Sequence, residues 1–141
     1  MSQQTQDWGT AGALSLLSTE MNSLANATYS SAGSAVDLGD PGPFAIVIRS
    51  AVTGSGSGSG LLKIYALWSD DNTNFSEQSA AAPNGEPVGV MYVNSGTGSK
   101  KIFQISVKAR YVKFIVYNNT GAALAASGST IVGQKVDVNI T

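Results

Sequence analysis

Alternation is the strongest constraint in this sequence. Tyr111 to Tyr117 sets Val112, Phe114 and Val116 against Tyr111, Lys113 and Ile115. Lys101 to Lys108 sets Phe103, Ile105 and Val107 against Gln104, Ser106 and Lys108. Leu61 to Trp68 puts Leu62, Ile64, Ala66 and Trp68 on one side and Lys63 and Tyr65 on the other. Phe44, Ile46 and Ile48 face one way within a β-branched run, and Val136, Val138 and Ile140 alternate with Asp137 and Asn139. Successive side chains of an extended chain point to opposite faces, so a period of two means one buried face and one wet face. Pro87 to Val93 reads as a shorter strand near a sheet edge, because proline cannot donate to a ladder and Gly89 weakens its interior. Several such strands, punctuated by turns such as Gly39-Asp40-Pro41-Gly42-Pro43, predict an all-β fold, an antiparallel sandwich or barrel.

A chain of 141 residues suits one domain. Residues 1–13 are polar and small apart from Trp8 and read as a flexible N-terminal arm; residues 14–141 read as a single β-sandwich domain. The Trp8 indole either covers one end of the core or anchors the arm on a neighbouring subunit, tryptophan being a favoured interface anchor. Leu14, Leu17, Met21 and Leu24 have helical spacing, but Ser15, Ser18, Thr19, Asn22 and Ser23 are weak helix formers, so a short helix and an irregular strand both fit. The Gly54-Ser55-Gly56-Ser57-Gly58-Ser59-Gly60 run is not a phosphate loop, because the segment that follows is a strand and not a helix. It reads as a flexible hairpin loop joining two strands.

The absence of cysteine and histidine removes disulfides, thiol nucleophiles, zinc–thiolate sites and the usual catalytic triad. Paired carboxylates facing across a cleft are not apparent either, so an enzyme is not expected. Ser69-Asp70-Asp71-Asn72-Thr73-Asn74-Phe75 has the D-x-N-x-N spacing of a calcium loop, but lacks the glycine at position 75 and the glutamate at position 81. No metal site is therefore expected. The net charge of −1 argues against general nucleic-acid binding. Its distribution is uneven: residues 1–99 carry −6 and residues 100–141 carry +5, a pattern suited to complementary faces between neighbours, or to chance among few charges. Phe114 goes to the core side, leaving only Tyr111 and Tyr117 beside Lys113, which reads as a solvated sheet face. No basic-then-apolar leader and no stretch of about 20 apolar residues is visible, so neither secretion nor a membrane is expected.

Three stretches together resemble small virion structural proteins of tailed double-stranded DNA phages. Leu67-Trp68-Ser69-Asp70-Asp71-Asn72-Thr73-Asn74-Phe75 is similar to their strand-plus-loop S-x-D-G-T-N-Y/F. The segment from Arg110 to Gly121 is similar to K/R-Y-V-K-F-x-V-x-N-x-T-G, and Ala122 to Thr130 to A-L-A-A-S-G-N-T. Leu14 to Ala27 also fits their usual beginning. The sequence departs from the pattern at Asn72, where glycine is usual, although asparagine tolerates the left-handed conformation.

The resemblance implies a jelly-roll-like sandwich that decorates or cements a phage head, without catalysis or cofactor. The implied partners are the major capsid protein or another virion protein, with self-association, for example as a trimer. The implied location is the virion, after synthesis in the host cytoplasm. Trp8, Tyr111, Lys113 and Tyr117 are the candidate protein contacts. Arg110-Tyr111-Val112 and the Ser-Asp-Asp loop are also similar to discoidin-type carbohydrate-binding sandwiches. That alternative is a carbohydrate- or receptor-binding module of a head fibre or tail, with Asp70, Asp71, Asn72 and Asn74 as ligand contacts at one end of the sandwich.

Overall fold

The computed structural model describes residues 3–56 and 58–140. Among these residues two antiparallel sheets of five strands each face one another. Sheet A contains β1 (Gln4–Trp8), β2 (Leu14–Leu17), β5 (Ala45–Thr53), β8 (Gly98–Ser106) and β10 (Thr130–Ile140), in the order β1-β10-β5-β8 with β2 also paired to β10. Sheet B contains β3 (Thr28–Tyr29), β4 (Val36–Asp37), β6 (Gly60–Ser69), β7 (Glu86–Val93) and β9 (Tyr111–Asn119), in the order β3-β9-β6-β7 with β4 also on β9. The chain passes from one sheet to the other after β2, β4, β5, β7, β8 and β9. The expected all-β, jelly-roll-like sandwich is the fold of this protein.

The core follows from the alternation. Leu62, Ile64 and Ala66 of β6 and Val112, Phe114 and Val116 of β9 meet Ile46, Ile48 and Val52 of β5, Ile105 of β8 and Ile131 of β10. Each large apolar side chain removed from water here contributes about 1.5–3 kcal/mol. β7 lies at the edge of sheet B, where its leading Pro87 costs no ladder bond.

Three local features differ from the simplest sequence reading. Residues 14–24 take the strand alternative: Leu14–Leu17 pairs with β10, and a single 3-10 turn over Thr19–Met21 follows and buries Met21. The helical spacing of their leucines is overridden by the pairing offered by β10. Residues 4–8 of the N-terminal segment form an edge strand in continuous register with β10, from Gln4 opposite Ile140 to Trp8 opposite Val136. The glycine–serine run, expected as a hairpin loop, does not close a hairpin, because β5 belongs to sheet A and β6 to sheet B. Gly54 forms a bridge with Leu124, and a Cβ at Gly60 would stand 2.8 Å from the Asn119 carbonyl oxygen. Close backbone approach therefore demands glycine at Gly60, where composition alone suggests only a flexible link.

Candidate functional site

The inward positions of β6 are Leu62, Ile64 and Ala66, so Leu61, Lys63, Tyr65, Leu67 and Ser69 face outward from sheet B. Register then places Tyr117 beside Lys63, Ile115 beside Tyr65, Lys113 beside Leu67 and Tyr111 beside Ser69. Tyr29 on β3 lies opposite Tyr117, and Tyr92 on β7 opposite Leu61. All five tyrosines of the chain thus share the outer face of sheet B.

Three of these rings gather in one place. Tyr29 and Tyr117 have centroids 4.7 Å apart with planes tilted by 54°, and Tyr29 and Tyr65 are 6.2 Å apart at 52°. Tilted pairs at such distances match the preference of aromatic quadrupoles. The Lys63 ammonium stands 5.9 Å from the Tyr117 centroid. Burial, and after it the neighbouring Tyr29 and Tyr117, push the Tyr65 phenol above its ordinary value, so it remains a neutral hydroxyl donor.

One end of the face is covered and the other is open. The long β6–β7 connection turns back over the sheet: Gln78 is buried, its Nε2 donates to the Tyr29 hydroxyl at 3.1 Å, and its Oε1 accepts the Gly85 N–H at 2.9 Å. Leu67 and Ile115 face outward by alternation yet are buried, and the Lys113 ammonium lies 4.2 Å from the Phe75 centroid. At the open end Leu61 and Val90 are each 42% exposed and Tyr92 56%.

The acidic and amide loop lies elsewhere. Asp71 Oδ1 accepts the N–H groups of Thr73 and Asn74, both at 2.8 Å, and the Ser69 hydroxyl at 3.0 Å; Asp71 Oδ2 accepts Asn74 Nδ2 at 2.7 Å. These bonds hold its carboxyl well below the usual carboxylate range, the backbone donations being the largest cause. Asn72 adopts φ +61°, a left-handed conformation that asparagine tolerates. Asp71 and Asn74 therefore close their own turn. Asp70 instead lines an open cleft of about 500 Å³ at the end of the sandwich, with Asp40, Lys108, Arg110, the 38–43 turn and the 107–109 segment. Beside it the Asp37 carboxylate accepts Arg110 Nε at 2.8 Å and Nη2 at 3.0 Å, and chiefly for that reason its pKa falls to about 2.

Of the residues singled out from sequence, the fold brings Tyr111, Lys113 and Tyr117 onto the tyrosine face and keeps Trp8 on the other sheet, 52% exposed on β1. Lys63 and Tyr65 were legible as outward positions of β6. Tyr29 and Tyr92 join them only through cross-strand register, which local alternation does not report. Among the described residues no group of three or more acidic side chains could hold a metal ion.

No family model matches this chain, and no curated protein matches it. Among solved structures it is similar to the CBM22-1 xylan-binding domain from Paenibacillus barcinonensis Xyn10C, at 13% identity and a TM-score of 0.46 over 98% of this chain and 84% of that one. It is also similar to the C-terminal CBM6 of LamC, a marine laminarinase from Zobellia galactanivorans, at 9% identity and a TM-score of 0.42 over 96% and 99%. A third is the carbohydrate-binding module CBM6cm-2 from Cellvibrio mixtus lichenase 5A in complex with cellotriose, at 11% identity and a TM-score of 0.39 over 95% and 86%. Neither a ligand nor a binding residue is carried over from them.

Proposed function

We propose that this chain is a non-catalytic carbohydrate-binding module whose ligand lies on the tyrosine face of sheet B. The observation that carries this reading is the gathering of every tyrosine on one sheet face, with the Tyr29 ring packed against both Tyr65 and Tyr117. A tyrosine ring offers an apolar surface to the C–H face of a sugar ring and a hydroxyl to its rim. A few polar groups among apolar ones fix the orientation of a ligand, and Lys63 and the Tyr65 hydroxyl supply them here. Affinity electrophoresis of the intact protein against a panel of neutral and acidic polysaccharides tests the reading. Binding that falls about tenfold in Tyr117→Ala and is unchanged in Ile102→Ala, on the opposite sheet, supports it. Absence of binding across the panel overturns it.

A second reading, a subunit decorating a phage head, is favoured by the open edge of β1 with its exposed Trp8. A free strand edge beside a large apolar ring is a natural seat for a protein neighbour. The motifs that carry the resemblance serve the fold: Asp71 and Asn74 close a turn, and Asn118 and Thr120 are buried. Purified protein that adds back to stripped capsids and raises their disruption temperature, with Trp8→Ala weakening the addition, supports decoration. Protein that fails to add back removes it.

A further inference from the structure

We infer that the glycan held on the tyrosine face is a polyuronate, bound through its ring carboxylates by Lys63 and Lys113; this rests on the carbohydrate reading of the same face. Both lysines point outward from sheet B, and both ammonium groups stand over aromatic rings, Lys63 at 5.9 Å from Tyr117 and Lys113 at 4.2 Å from Phe75. Among the described residues neither has a carboxylate within ion-pair distance. Register puts a single strand carboxylate on this face, Asp37 beside Tyr111, and that group is already held by both Nε and Nη2 of Arg110. The face therefore presents cations without counter-ions in a chain whose net charge is −1.

Geometry adds a spacing. Lys113 lies beside Leu67, four residues along β6 from Lys63, and Tyr65 lies between them. With a rise of about 3.3 Å per residue, the two lysine positions are about 13 Å apart along the strand. A cation over a ring face keeps N–H donors free for an anion, and a charge-assisted hydrogen bond is about twice as strong as a neutral one. A uronic acid carries its carboxylate on the sugar ring. A ring stacked on Tyr65 or Tyr117 presents that group sideways, toward a lysine on the neighbouring position. Repetition of the acid along the polymer lets two such contacts act together.

The test uses the intact protein and four probes: a polyuronate, the same polymer with its carboxylates methyl-esterified, sulfated dextran, and a single-stranded oligodeoxythymidylate. The expected result is affinity for the polyuronate at least tenfold above that for its ester. Lys63→Gln, with an unchanged melting temperature, should remove most of that preference; Lys63→Arg should retain it, and Lys100→Gln, on sheet A, should not alter it. Equal affinity for polyuronate and ester, unaffected by Lys63→Gln, overturns the inference and leaves the carbohydrate reading standing. Preference for sulfated dextran or the oligonucleotide over the polyuronate also overturns the inference. No binding to any polysaccharide, neutral ones included, removes the carbohydrate reading and the inference with it.

Discussion

The Thr120 hydroxyl lies 2.7 Å from Asn118 Oδ1, and both residues are buried, Asn118 near the end of β9 and Thr120 just beyond it. Asn118 Oδ1 also accepts the Thr120 N–H, while its Nδ2 donates to the carbonyls of Leu24 and Ala122, both at 2.9 Å. One amide thus ties the end of sheet B to the segment before β3. An amide is suited to this position because it offers two donors and an acceptor at once. Asn118→Ala should lower the unfolding free energy by about 2–4 kcal/mol, since several buried partners lose their bonds together. Urea denaturation should show this as a lower midpoint with an unchanged slope.

Gly60 and Ser55 belong to the same low-complexity run and should respond differently to alanine. A Cβ at Gly60 would meet the Asn119 carbonyl oxygen at 2.8 Å and Thr120 Cα at 3.0 Å, both backbone atoms that cannot swing aside. Gly60→Ala should cost about 1–3 kcal/mol. Ser55 is exposed, and Ser55→Ala should stay within about 0.5 kcal/mol. Equal effects, read from thermal unfolding, would return the whole run to the status of a plain linker.

The Asp37–Arg110 pair carries a pH signature. The folded pKa of Asp37, about 2, lies below the ordinary aspartate value, so the stabilisation is present above the unfolded value and is lost as pH falls through the folded one. Carboxyl carbon NMR should place the Asp37 midpoint near 2, and Arg110→Gln should move it back up toward the ordinary aspartate value. Both side chains are nearly half exposed, so added salt should raise the midpoint as well.

Asp71 should matter to its loop more than Asp70 does. The Thr73 and Asn74 amides both donate to Asp71 Oδ1, whereas Asp70 is exposed at the rim of the end cleft. Asp71→Ala should accelerate hydrogen exchange at those two amides, and Asp70→Ala should leave them unchanged. Slow exchange persisting in Asp71→Ala would mean that the backbone turn holds without the carboxylate.

Much of the fold was legible in the residues. The alternation of Val112, Phe114 and Val116 with Tyr111, Lys113 and Ile115 identified both a strand and its buried side, because a period of two is a property of each strand alone. Pro87 marked an edge for the same reason: a missing donor is local. Asn72 at φ +61° takes a backbone conformation that its own short polar side chain tolerates, again a local property.

Properties that depend on which strands become neighbours were decided by the tertiary structure. Tyr29 and Tyr117 are distant in sequence and sit 4.7 Å apart because β3 pairs with β9. Ile115 reads as a wet position by alternation and is buried. The Gly54–Gly60 run looks like a hairpin and is a crossing between sheets, since glycine content reports backbone freedom and not the destination of the chain. By itself the sequence determined an all-β chain with one apolar face per strand and without cysteine or histidine chemistry. Assembly of the sheets decided that its tyrosines form a single surface, because cross-strand register joins positions that local periodicity treats as unrelated.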